Sequence, residues 1–383
     1  MSQLKPRILI FIDWYLPGYK AGGPIRSCAN MVAALSEYFE FYIVTRSCDY
    51  MEKTPYTHVH TDKWNVLPDG SWVYYLSAEN LCKKQIEYLV TEKKYNLVYI
   101  NGLYSYFFSI LPLILVKKYK IKAIVAPRGM LASGALSIKP VRKMLFLSYA
   151  RMRGLYRNIR FHATGQQEKE QLKKKISESA VIMVAPNLPK PVPETIPVKR
   201  IKEKGKLKIL QVARIAPEKN LLFALRVLAD IKGEITFNIY GPVYDVNYWN
   251  KCRKQIALLP QNVQVEYHGS ISPVDMDMVF QNNQLMLMPT LGENYGHIIT
   301  ESLAAACPVL ISDKTPWVDL QSWHAGWAIP LHDTNSYHDV LHQCVELDQE
   351  SYDALSLSSW KYAVKTFDDK EIKTQYIRLF SNL

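Results

Sequence analysis

The chain has 383 residues, 48% of them apolar and 21% charged, which excludes a disordered chain and suits about two domains at roughly 150 residues each. Its formal net charge of +12 is uneven: residues 1–185 carry +14, residues 186–208 carry +5 and residues 209–383 carry −7. A basic first half points to an anionic partner, such as nucleic acid, a diphosphate or an anionic membrane face.

MSQLKPRILIFID enters a strand at once and lacks the charged region, apolar stretch and cleavage site of a secretory leader. Six scattered cysteines (Cys28, Cys48, Cys82, Cys252, Cys307, Cys344) show no CxxC or metal-like spacing, so free thiols in a reducing compartment are expected. The longest apolar run, Leu103 to Val116, is interrupted by Ser105, Ser109 and Pro112 and is shorter than the ~20 residues that span a bilayer. These features lead to the expectation of a cytoplasmic protein.

Arg7–Asp13 reads as a buried parallel strand, followed by the loop WYLPGYKAGGP and a helical pattern from Ile25 to Ser36. Strand-like runs recur at Phe39–Thr45, Trp72–Leu76, Leu97–Ile100, Ile121–Ala126, Arg160–Ala163 and Ala180–Val184. Helical stretches fall at 80–94, 105–119, 136–158 and 166–176. The alternation predicts a doubly wound α/β domain over residues 1–187. Residues 188–206, rich in proline and then in lysine and arginine, read as an interdomain linker. From Leu207 the alternation restarts. Helices are expected at 219–231, 247–258 and 273–282 and strands at KILQVA, ITFNIYG, VQVEYHG, LMLMP, PVLISD and GWAIPL. The second domain is placed at 207–365, with a C-terminal helix over 366–383 packing back toward the first. Two such domains would face a central cleft.

The stretch Leu285 to Asp313 carries the densest chemistry. A strand, LMLMP, delivers the loop Gly-Glu-Asn-Tyr-Gly to its carboxyl end, where open α/β sheets bind ligands. A helix then opens near Gly296 and His297, whose backbone N–H groups favour an anion or a hydroxyl-rich ligand. Glu293 and Glu301 stand eight residues apart, and carboxylates accept hydrogen bonds from sugar hydroxyls. The plainer alternative is an ordinary strand-loop-helix unit with two solvated glutamates. After the first strand of the second domain, VARIAPEKN places Arg214 and Lys219 five apart at a helix entry. Two cations there make a diphosphate clamp, unless both are solvated surface charges.

Taken together, Arg214 and Lys219, Glu293 and Glu301, and the Pro-Thr-Leu-Gly-Glu strand exit resemble the retaining GT-B glycosyltransferases, most nearly the bacterial group 1 class called GT4. The segments AGGP (Ala21–Pro24), APRGM (Ala126–Met130), FHATG (Phe161–Gly165) with Glu168, and Pro316–Trp327 are similar to members that build surface polysaccharides. The resemblance implies a GT-B fold of two Rossmann-like domains and a hexosyl- or N-acetylhexosaminyl-transferase. It implies a nucleotide-diphosphate sugar donor, no metal or cofactor, and a saccharide or lipid-linked acceptor in surface polysaccharide or O-antigen synthesis. Arg214 and Lys219 would hold the diphosphate, Glu301 the ribose and Glu293 the transferred sugar. Backbone amides of Asn294, Tyr295, Gly296 and His297 would add contacts, Gly269, Ser270 and Ile271 would border the base, and Gly22 and Gly23 would permit close approach of donor phosphate or acceptor. For the catalytic position that many relatives fill with a histidine, the candidates are Arg128, which either binds a phosphate or acceptor anion or pairs structurally, and His162, which at a strand exit is either catalytic or a satisfied structural histidine. Asn294-Tyr295 departs from the usual Gly or Pro with Phe. A nucleotide-sugar epimerase or phosphorylase is the alternative enzyme. A nucleic-acid-binding protein is more remote, because the aromatic-plus-basic motifs and zinc spacings are missing.

Asp275-Met-Asp277 spells a metal-binding Asp-x-Asp, but after Ser272-Pro273 it reads as the acidic first turn of a helix. The basic amphipathic stretch Leu136–Arg160 could rest on an anionic membrane, giving peripheral attachment at the inner face, or be a domain helix with one solvated side.

Overall fold

A computed structural model describes residues 5–132, 140–197, 199–367 and 370–381. The chain forms two compact units, residues 1–188 with 369–383, and residues 189–368. The first residues 1–4 of the chain, residues 136–139 of the expected helix 136–158, residue 198 of the expected linker, and residues 368–369 and 382–383 of the expected C-terminal helix lie outside the described residues.

In the first unit the strands are β1 (Arg7–Phe11), β2 (Glu40–Arg46), β3 (Trp64–Val66), β4 (Trp72–Leu76), β5 (Leu97–Asn101), β6 (Ala123–Ala126), β7 (Arg160–Ala163) and β8 (Val181–Val184). Between them run α1 (Gly23–Leu35), α2 (Lys83–Thr91), α3 (Leu111–Lys118), α4 (Pro140–Met152) and α5 (Gln166–Lys175). The sheet order is β3-β4-β2-β1-β5-β6-β7-β8, parallel except for β3 against β4. Both sheet faces are covered, which is why β1 is apolar and buried from Ile8 to Phe11, after Arg7 at its edge. Ile8 and Ile10 enter one core cluster and Leu9 and Phe11 the other.

Two local differences from the sequence pattern have simple causes. The expected helix over 105–119 begins instead as a wide turn at Tyr106–Ile110, in which the Ile110 N–H donates to the Ser105 carbonyl at 2.9 Å. Pro112, in the first turn of α3, has no N–H to continue an α-helical ladder backwards. The three-residue edge strand β3 has no counterpart among the expected strands, since so short a segment shows no periodicity.

The second unit contains β9 (Lys206–Val212), α6 (Leu221–Leu228), β10 (Glu234–Tyr240), α7 (Val246–Ile256), β11 (Val263–Tyr267), α8 (Met276–Gln281) and β12 (Leu285–Met288). It continues with α9 (His297–Ala304), β13 (Val309–Ser312), β14 (Gly326–Ile329), α10 (Thr334–Glu346) and α11 (Gln349–Thr366). Its six strands are all parallel in the order β11-β10-β9-β12-β13-β14. The chain starts at the centre, builds outward through β11, then returns to build the other half from β12. Alternation again divides the core, with Leu285 and Leu287 on one side of β12 and Met286 and Met288 on the other. Asp245, Asp333 and Asp348 open α7, α10 and α11 by accepting backbone N–H groups of Tyr248, Ser336 and Ser351. The C-terminal helix, α12 (Lys370–Ser381), places Tyr376, Leu379 and Phe380 in the first unit's core, with the Phe380 ring 5.4 Å from that of Phe39.

The basic run read as linker is not a solvated strip. Arg200 is 5% exposed and donates to the carbonyls of Phe280, Ala305 and Ala306 at 2.9, 2.6 and 2.9 Å. Lys202, 4% exposed, donates to those of Val345 and Leu347, each at 2.9 Å. These carbonyls close α8, α9 and α10, where the helix dipole favours a cation. All six cysteines are free thiols. Among the described residues no helix is long and apolar enough to cross a membrane.

Candidate active site

A doubly wound sheet binds ligands outside the carboxyl ends of its strands, where the winding reverses. In the second unit that point lies between β9 and β12, which pair directly through Leu285 with Ile209 and Met286 with Leu210. The loops leaving these two strands are the two that carry Arg214 with Lys219 and Glu293. They are tied by backbone as well. Leu291 N–H and the Thr290 hydroxyl both donate to the Glu218 carbonyl, at 2.9 and 3.0 Å.

The expected helix over 219–231 is divided. A 3-10 turn, Pro217–Lys219, is followed by Asn220 in the left-handed conformation at φ 55, and only then by α6. Asparagine tolerates that conformation. The break puts Lys219 in a tight turn beside the β12 loop, and its ammonium forms an ion pair with Glu293. The two side chains are only 16% and 13% exposed, so solvent screens the pair weakly. Arg214 goes elsewhere. Its guanidinium lies 3.3 Å from Glu218 and 4.9 Å from the Tyr244 ring centroid, and is 36% exposed. Lys219 therefore meets Glu293, while Arg214 is held on its own loop by Glu218 and Tyr244.

Gly296 adopts φ 80 at the N-terminus of α9, a left-handed conformation that favours glycine, and a Cβ there would press on the tip of the Ile299 side chain at 2.8 Å. Asn294 is exposed, Tyr295 half-buried and His297 buried. The Tyr295 ring packs 4.7 Å from His297 and 5.3 Å from Trp317, whose indole N–H donates to the Tyr295 carbonyl at 2.6 Å. This contact fixes the loop, and nothing in the segment Pro316–Trp327 signals it, because Trp317 lies 22 positions from Tyr295. Thr290 was missed too, because a strand-exit threonine looks like any other. Its carbonyl accepts from Ser312 Oγ at 2.6 Å. Glu301, half-buried, sits one turn into α9 beyond His297.

Two further loops flank the same sheet end. The Gly241 N–H donates to the Gly269 carbonyl at 2.7 Å, joining the exits of β10 and β11. A Cβ on Gly241 would sit 1.9 Å from the Ala213 carbonyl oxygen, so only glycine lets this loop close against the start of the Arg214 loop. His268 stacks on Tyr240 at 4.5 Å and leads into Gly269, Ser270 and Ile271, with nothing within 4 Å of a Cβ at Gly269. Asp275 and Asp277 lie at the start of α8, and Asp277 is 3.7 Å from Lys190.

In the first unit, Gly22 and Gly23 open α1, and a Cβ at either would meet nothing within 4 Å. Arg128 follows β6 at φ 52 and donates to Asn101 and Tyr99, each at 2.8 Å, and to Asn187. All three partners are neutral. His162 is fully buried below it, with Nε2 2.8 Å from the Ala185 carbonyl and Nδ1 2.6 Å from the Tyr99 hydroxyl. A carbonyl only accepts, so Nε2 carries the proton and Nδ1 accepts from Tyr99, whose oxygen then accepts from Arg128. Burial and the Arg128 charge press the His162 pKa down to about 3. Both ring nitrogens are thus engaged in holding Tyr99 beneath Arg128. Glu168, also buried, accepts from the backbone of Gly129 and Thr164. Asp13, Arg46 and Ser105, none of them expected as a site residue, gather at the first sheet's own reversal point, with Ser105 Oγ donating to Asp13 at 2.8 Å and Arg46 3.0 Å away.

Residues 192–356 match the family model for glycosyl transferases group 1, all within the second unit. Sucrose-phosphate synthase from Thermosynechococcus elongatus is similar over 99% of both chains, at 16% identity and a TM-score of 0.69. HepE of Anabaena, solved with UDP and glucose, gives 14% identity and a TM-score of 0.70 over 99% of this chain and 100% of its own. WaaG, a glycosyltransferase involved in lipopolysaccharide biosynthesis, gives 13% and 0.67 over 98% and 100%. The fold is GT-B. At these identities the solved structures carry the GT-B fold alone, while the family match supports an enzyme that transfers sugars. No curated protein sequence matches the chain.

Proposed function

We propose that the chain is a retaining GT-B glycosyltransferase whose second unit holds a nucleoside-diphosphate sugar. The observation that carries this is the Lys219–Glu293 ion pair at the reversal point between β9 and β12, inside the segment that matches the group 1 family. An ammonium has three N–H donors, so Lys219 can hold Glu293 and still face a donor phosphate. Arg214 supplies a second cation on the same loop, and together they stabilise the charge that builds on the leaving diphosphate. Glu293 contacts the transferred sugar and Glu301 the ribose. Arg128, ringed by neutral partners, is a cation for the acceptor side. The charge work falls to these side chains, so a chelator is expected to leave the rate unchanged.

The finer reading is hexosyl or N-acetylhexosaminyl transfer to a saccharide or lipid-linked acceptor in surface polysaccharide or O-antigen assembly. It rests on the resemblance of AGGP, APRGM and FHATG to such enzymes; among the structural neighbours, HepE with UDP and glucose supports hexosyl transfer and WaaG, involved in lipopolysaccharide biosynthesis, supports the surface-saccharide acceptor. The test is transfer from a panel of nucleotide sugars to oligosaccharide acceptors, with the product's anomeric configuration read by NMR. An inverted product sinks retention. Donor consumed to free sugar or an epimer without acceptor sinks transfer itself.

A further inference from the structure

We propose that the first unit docks on an anionic lipid bilayer through α4 and the cavity beside it. This stands independently of the donor-site reading. On α4, Val141, Met144, Leu145, Tyr149 and Met152 are between 54% and 77% exposed. At about 100° per residue these five side chains share an arc of roughly 140°. The opposite side of the helix is its buried one, marked by Ala150. Arg142 and Arg151, both exposed, fall at the two edges of the apolar arc. A solvent-facing apolar stripe bordered by arginines is the pattern of a helix lying in a membrane interface, its cations reaching to headgroups. Five large apolar side chains gathered on one exposed face also mark an interaction surface of some kind.

The charge around the stripe decides the occupant. Between Glu92 and Glu168 the sequence holds 14 lysines and arginines and no aspartate or glutamate. At the C-terminal end of α4 lies a cavity of about 690 Å³, lined by Leu147, Ala150 and Arg151 of that helix and by Arg157, Lys173 and Lys174 beyond it, against the single carboxylate of Glu178. A phospholipid phosphate fits such a lining. A second copy of this chain would set the same positive charge against itself across a two-fold interface. A nucleic acid would leave the apolar stripe facing phosphates. An anionic bilayer satisfies both halves of the surface.

The experiment is co-sedimentation of the full chain with vesicles of phosphatidylcholine alone or with phosphatidylglycerol added. The wild type is expected to pellet with the anionic vesicles, and raised salt should weaken this as screening shortens. The triple variant Met144→Ser, Leu145→Ser, Met152→Ser should bind at least about tenfold less. The double variant Arg151→Glu, Arg157→Glu should lose the preference for anionic lipid. All these side chains are exposed, so both variants should melt with the wild type. Equal binding to neutral and anionic vesicles, or full binding by the triple variant, would overturn the proposal. So would a wild-type dimer that the triple variant dissolves while vesicle binding stays unchanged, which would assign the face to a second copy.

Discussion

At the scale of single residues, the ion pair and the buried histidine make separate predictions. A charge-assisted hydrogen bond is worth about 1.5–3 kcal/mol, so Lys219→Ala and Glu301→Gln should each weaken donor binding about 10- to 100-fold, measured by titration with the donor. Glu293→Gln should lower the transfer rate, while Arg214→Ala should lower both rate and donor affinity. Unchanged values in these variants would remove the site assignment. His162 predicts a pH effect. Its pKa is about 3 in the fold against 6.5 for the free side chain. Between those values the unfolded chain binds the proton that the folded one refuses, so acid favours unfolding. Stability should fall as pH drops below about 6.5, with a slope of up to ~1.4 kcal/mol per pH unit, while above 6.5 this group contributes no slope. In His162→Gln that part of the slope between pH 6.5 and 5 should vanish, as followed by denaturant melts.

At the scale of elements, the proline-rich and basic segment before β9 contributes to stability beyond linking two units. Arg200→Met removes a cation from three helix-closing carbonyls and should destabilise the chain by about 3 kcal/mol or more. Lys199, one position earlier, is 81% exposed and paired to Asp353 at 2.8 Å. Lys199→Ala should change stability by less than about 1 kcal/mol. Thermal melts of the two variants, side by side, check whether neighbouring positive charges differ as the burial says. Composition could not separate them. Both read as surface cations, and only the approach of α8, α9 and α11 tells which one is enclosed. The strand pattern was far more legible. β4 begins and ends where the run Trp72–Leu76 does, because a strand buried on both faces is apolar along its length, and β7 keeps the bounds Arg160–Ala163 although it opens on an arginine and encloses His162. The splitting of the 105–119 and 219–231 helices was less so, since apolar period continues across a wide turn or an αL asparagine.

At the scale of the whole molecule, two units repeat one winding plan, and each gathers charged side chains where its own sheet reverses. Donor binding should raise the melting temperature in the order of affinity across UDP-, GDP-, ADP- and CMP-sugars. A ligand at a hundred times its dissociation constant adds about 2.7 kcal/mol. A flat response to the whole panel would count against a donor site in the second unit.

The sequence by itself determined the α/β class, the doubly wound plan and the loops on which Lys219, Glu293 and Glu301 stand, because periodicity and strand-end position are local properties of the chain. Tertiary structure alone decided which of these residues meet. Lys219 and Glu293 lie 74 positions apart and come together because β12 returns to pair with β9. Arg214, five residues from Lys219, turns to Glu218 and Tyr244 instead. Sequence leaves His162 either catalytic or structural, and only the enclosure by Tyr99 and Ala185, with Arg128 on the same tyrosine, makes it a buried strut. Pairing across a sheet and enclosure by distant elements depend on contacts far apart in sequence, and no local pattern encodes them.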